Sequence, residues 1–188
     1  MSTPEPYAGF IDHIEGFLGK VYDAEPPVIE GKNRGFALFF CKTPAEDLVS
    51  VVTNGLRFQK ITTIMPMELA CTVLPEQRAY ARALVALTAN LVIRMGEAVQ
   101  LDQVIPAPEP FWDDLDMAGV MIVNHPYIED GFESVQNAEG RTEMQMLTVV
   151  PVTAAEIAYV NERDADALYE IWEEEETDLL DVTRASAV

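Results

Sequence analysis

The sequence predicts an α/β (α+β) fold in a single domain spanning residues 1–188, with a mixed β-sheet of about five to six strands flanked by helices. Three observations predict it. Short runs rich in β-branched and aromatic residues recur, stretches with apolar residues three or four apart lie between them, and neither a repeat nor a shift in composition marks a boundary. At 188 residues and 49% hydrophobic content the chain carries enough apolar surface for one core without disulfides or metals.

The elements follow in order. Tyr7, Phe10, Ile14, Phe17, Leu18 and Val21 share one face of an opening helix, which Gly19 and then Pro26 and Pro27 bring to an end. Phe36–Cys41 and Val49–Thr53 read as strands, the second closed by Asn54 and Gly55, and Met67–Val73 reads as a third. Pro75 and Glu76 open a long helix, since proline suits a first turn and an acid suits its positive end. Tyr80, Leu84, Leu87, Leu91 and Met95 form its buried stripe, and Gly96 caps it. Ala98–Leu101 is a short strand candidate. Pro106, Pro108 and Pro110 then mark a surface connection, because proline cannot lie in a central strand. Met117–Val123, apolar throughout, reads as a buried strand, and Met144–Val150 pairs with it across the polar connection Tyr127–Gly140. That strand stops at a sharp Pro151, Thr153 and Glu156 match a capping box, and Leu168, Ile171 and Trp172 give a last helix its apolar face.

Charge narrows the class of partner. The formal charge is −20, from 32 acids against 12 lysines and arginines, which repels phosphate backbones and anionic membrane surfaces and favours basic partners. Nucleic-acid binding is therefore not expected. The longest apolar segment, Ala79–Met95, is broken by Arg82, Asn90 and Arg94, so no membrane span is expected either. Two cysteines in apolar runs and no visible leader read as a cytoplasmic protein.

The search for chemistry is mostly negative. His13 and His125 are far apart and neither has a metal-ligand spacing; His13 reads as a solvated helix position and His125 as a turn residue at a strand end. Cys41 and Cys71 read as small buried thiols, no glycine-rich loop cradles a phosphate, and no cofactor or metal is indicated. One catalytic alternative stands: Asp113, Asp114 and Asp116 beside Trp112, acting with His125 as an acid-dependent hydrolase. It requires His125 and at least one of these acids to converge in a pocket.

The densest charge feature is Glu173, Glu174, Glu175 and Glu176. From Glu162 to Val188 there are ten acids and two arginines, a local charge of −8. Such a run is a solvated face, and it is also a surface that steers a basic protein to this end of the domain, which makes these four glutamates the candidate partner-binding residues.

Several segments together resemble the Suppressor of Fused domain family. Val51–Leu56 looks like its early strand and turn, Met67–Ala70 like the strand that follows, and Gly96–Val99 with Asp102 and Pro106 like the segment after the long helix. The block from Met144 through Pro151, Thr153 and Glu156 to Asp181 and Arg184 looks like its C-terminal end. The resemblance implies a binding module and not an enzyme. In animals, Suppressor of Fused proteins have two lobes that clamp a short strand of Gli transcription factors, and this chain is similar to the first lobe only. Single-domain bacterial relatives are associated with toxin systems as immunity proteins, which implies a protein partner here, a basic toxin. Nothing in the sequence fixes the partner's identity or the oligomeric state.

Overall fold

A computed structural model of the chain describes residues 6–28, 35–43, 47–128 and 130–188. A short helix, α1 (Phe10–Leu18), leads into an antiparallel series, β1 (Lys20–Glu25), β2 (Ala37–Thr43), β3 (Leu48–Asn54) and β4 (Met67–Val73). A 3-10 turn at Pro75–Gln77 opens the long helix α2 (Arg78–Met95). Then come β5 (Val104–Pro106), β6 (Met117–Val123), β7 (Ser134–Gln136), β8 (Thr142–Thr153), α3 (Ala154–Glu162) and α4 (Ala165–Glu174).

The strands form one mixed sheet ordered β1-β2-β3-β4-β8-β6-β5, with β7 also on β8. It has eight strands where the sequence reading expects five or six. The additions are short or polar: β1 is an edge strand without a buried face, and β5 and β7 have three residues each. Only β4 and β8 run parallel, with Met67–Ala70 beside Gln145–Thr148. Alternate residues of the inner strands face opposite ways. Leu69, Cys71, Leu147 and Val149 pack under α2. On the other face α1 and Phe132 cover Val52, Ala70 and Met146, while α3 and α4 cover Met121, Val123, Val150 and Val152. That face is thus roofed in two pieces, and the site described below lies beside α4 of the second.

Several features differ from the sequence reading. The opening helix stops at Leu18: a Cβ on Gly19, at φ 80°, would meet the Lys42 carbonyl at 2.1 Å, so only glycine makes this turn, and Val21 enters β1. On α2 the buried residues are Ala81, Leu84, Val85, Thr88, Ala89 and Val92, while Leu87 and Met95 are exposed. Small alanines let the helix lie close to the sheet, and that rotates the leucine stripe partly outward. Ala98–Leu101 is not a strand; the pairing falls on Val104–Pro106, an edge strand that tolerates a terminal proline. Strand β8 continues through Pro151 to Thr153, because its last pair with β4 is Thr148 and the Pro151 carbonyl accepts instead from Arg184 Nη2 at 3.1 Å.

Several readings match. Gly96 caps α2 in the left-handed conformation, with its N–H donating to Val92, and the Thr153–Glu156 capping box is formed on both sides. Cys41 and Cys71 are buried on opposite faces of the sheet, and burial pushes both thiols up to about 12. Ellman's reagent should therefore find no reactive thiol in the folded protein and two after denaturation; rapid labelling of the native chain would contradict this burial. No helix of the described residues is long and apolar enough to cross a membrane.

Candidate functional site

An open groove of about 750 Å3 lies between the end of β6, the turn at Leu101–Asp102, and α4 with the segment after it. Its floor and walls are Val123, His125, Tyr127, Tyr169, Trp172 and Leu179, and four acids also line it: Asp102, Asp166, Glu173 and Glu176. Helical spacing explains much of this. Asp166, Tyr169, Trp172, Glu173 and Glu176 recur at three or four residues, so one face of α4 and its continuation carries two aromatic rings and three carboxylates.

The acids are left uncompensated. Among the described residues no lysine or arginine forms an ion pair with any of the four. Glu173–Glu176 are exposed at the C-terminal end of α4, where the helix dipole is negative and a basic residue is the stabilising choice. Two of the four acids, Asp102 at φ 66° and Glu176 at φ 49°, also hold left-handed backbone. Asp102 accepts from the Tyr169 hydroxyl at 2.7 Å, and burial reinforced by that bond raises the phenol well above its ordinary range.

Below the groove the fold is rigid. Glu156 is fully buried and accepts from Trp172 Nε1 at 3.1 Å, from Arg184 Nη1 and Nη2 at 2.7 and 2.9 Å, and from the N–H groups of Thr153 and Ala187. Burial opposes its charge, yet the Arg184 guanidinium and these donors hold the carboxyl below its usual range. Trp172 is therefore oriented from behind, and the C-terminal segment is fastened to the same carboxylate. A second buried pair, Arg57 with Glu68 at 2.6 Å, anchors the turn after β3 beneath α1; burial raises the Glu68 pKa.

His125 stands at the groove's inner end. Its Nδ1 accepts from the Tyr127 N–H at 3.3 Å, so the proton of the neutral ring is on Nε2, which lies 2.8 Å from Thr72 Oγ1; Thr72 in turn bonds Ser50 Oγ at 2.7 Å. Burial lowers its pKa to about 4. Tyr127 is held at its tip: the phenol oxygen accepts from the Leu179 N–H at 3.0 Å and donates to the Thr177 carbonyl at 3.3 Å, while the residue stays half exposed.

The predicted residues are only partly united. Glu173 and Glu176 line the groove, whereas Glu174 and Glu175 point elsewhere on the exposed helix end. Asp113, Asp114 and Asp116 are exposed in the β5–β6 connection, and Trp112 packs on Tyr80 over the α2 face, across the sheet from His125. The convergence that the hydrolase alternative requires is not formed. His13 is not simply solvated: its Nε2 is 2.8 Å from the Phe132 carbonyl, which ties α1 to the roof. Asp102, Tyr127 and Asp166 carry no site role in the sequence reading, where Asp102 enters only through the family resemblance and Tyr127 only as the start of a polar connection. The spacing from Asp166 to Glu176 is a signal that finds one of them; the other two are joined to the site by tertiary structure alone.

The model of the suppressor of fused protein (SUFU) family matches residues 33–185, which include every groove residue and Arg184. The chain belongs to the Suppressor of Fused family. A protein described as a SUFU homolog from Neisseria gonorrhoeae has the same fold, with a TM-score of 0.73 and 16% identity over 94% of this chain and 93% of that one. The SUFU-family chain here is also similar to a chain of the Sufu-Fu complex, at a TM-score of 0.69 and 10% identity over 99% of this chain and 93% of that one. With Drosophila Suppressor of Fused the TM-score is 0.70 at 11% identity, and the match covers all of this chain but 54% of that one, about half its length. At these identities the likeness shows the SUFU fold. No curated protein matches by sequence.

Proposed function

We propose that this SUFU-family chain is a non-enzymatic protein-binding domain that holds a basic partner at the acidic groove, the partner being a toxin that the chain neutralises as an immunity protein. The observation that carries the reading is the set of four acids, without an ion pair among the described residues, around an aromatic floor in a chain of net charge −20. Like charges held together at a helix C-terminus cost stability when alone, and a cationic partner relieves that cost. A relative of the same fold is found in the Sufu-Fu complex, which is consistent with protein binding.

The sheet edges support the groove by being poor sites themselves. On edge strand β1 the Val21 N–H donates to Glu15 and the Ala24 N–H to Asp23, so two of its donors are taken by the chain's own carboxylates. The other edge, β5, is three residues long and ends in Pro106. A pull-down from the native host should capture a basic protein, with capture falling as salt rises and falling again in the Glu173→Gln, Glu176→Gln double variant. Expression of this chain should protect cells against that protein. Capture indifferent to both salt and the double variant would overturn the groove reading, and absence of protection would overturn the immunity role.

A further inference from the structure

We infer that the group received by the groove is an arginine side chain on a segment of the partner, its guanidinium stacked on Tyr127 and paired with the rim carboxylates; this rests on the protein-binding reading above. Tyr127 is the reason for preferring arginine over a general cation. Its hydroxyl is fixed by the Leu179 N–H and the Thr177 carbonyl, so the ring is an exposed platform that pays no further ordering entropy when a flat group settles on it. Glu173 and Glu176 line the same groove and are free of ion pairs among the described residues. A planar, weakly hydrated fork with several donors uses an aromatic face and carboxylates together, whereas an ammonium is a compact, strongly hydrated point charge.

The chain already uses this pairing elsewhere: Arg57 is paired with Glu68 while its guanidinium lies 4.4 Å from the Phe58 ring centre, and Arg78 is paired with Asp23 while lying 3.9 Å from that of Phe40.

The test uses the intact chain and matched short peptides whose cationic positions are all arginine, all lysine or all citrulline, with leucine between them. Affinity is read by fluorescence anisotropy at low salt, and location by NMR shifts of the Tyr127, Tyr169 and Trp172 signals. The arginine peptide should bind about five-fold tighter than the lysine peptide, and the uncharged citrulline peptide should not bind measurably. Tyr127→Leu should abolish the difference while leaving both cationic peptides bound. Equal binding of arginine and lysine peptides by the unmodified chain, with shifts in the groove, would overturn the arginine inference and leave the protein-binding reading standing. Failure of every peptide to shift these signals, together with undiminished capture of the partner by the Glu173→Gln, Glu176→Gln variant, would remove the groove reading itself.

Discussion

Replacing Arg184 with methionine is expected to lower the free energy of unfolding by about 3–5 kcal/mol, the usual cost of stripping one partner from a buried ion pair. Glu156 has no exposed surface, and Arg184 gives it two of its hydrogen bonds and the only positive charge in contact with it among the described residues. Without Arg184 the carboxylate must either stay charged in a poorly solvating interior or take up a proton. Thermal denaturation should show a drop of roughly 10 °C for a chain of this size. Restoring neutrality should recover part of the loss, so Glu156→Gln combined with Arg184→Met should be more stable than Arg184→Met alone. A single Arg184→Met variant within about 1 kcal/mol of the parent would show that the pair does not bear on stability as argued. Because Glu156 also fixes the Trp172 indole, the destabilised variant should lose partner capture before it unfolds globally.

Acidification from about pH 6.5 to about pH 4 is expected to remove on the order of 3 kcal/mol through His125 alone. The folded pKa is lowered by burial, so within this window the unfolded chain binds a proton that the folded chain does not, and stability falls as pH falls. Glu156 acts lower down: its folded pKa is depressed, so its contribution is present above about 4.5 and is lost below that. Relief of the repulsion among 32 acids works in the opposite direction as they protonate. The comparison that isolates His125 is urea denaturation of the parent and of His125→Asn across this range. The two curves should converge toward pH 4, and curves that stay parallel would show that His125 does not titrate as its burial requires.

Much of the fold was legible because apolar runs of strand length are nearly unambiguous when both faces are buried. Met67–Val73 and Met117–Val123 were read to the residue for that reason. Gly96 and the Thr153–Glu156 box were legible because a cap is local chemistry. Edge elements were not: Lys20–Glu25 has one paired side and no buried face, so nothing in its hydrophobic pattern announces a strand. Pro151 misled for a related reason. It follows the point where β4 stops pairing with β8, a fact that depends on strand order and not on neighbours in sequence. The acidic run was visible as composition, but only half of it lines the groove, since helix rotation turns Glu173 and Glu176 inward and leaves Glu174 and Glu175 outside. His125 and Asp113–Asp116 looked compatible as a list; the sheet that separates them is invisible in one dimension.

The carboxylates that occupy two donors of β1 have a consequence for how the molecule lives in a crowded solution. Two copies meeting edge to edge find the Val21 and Ala24 amides already engaged, and their shared negative charge opposes the approach. The same side chains that give the molecule its charge thus disfavour zippering through this edge.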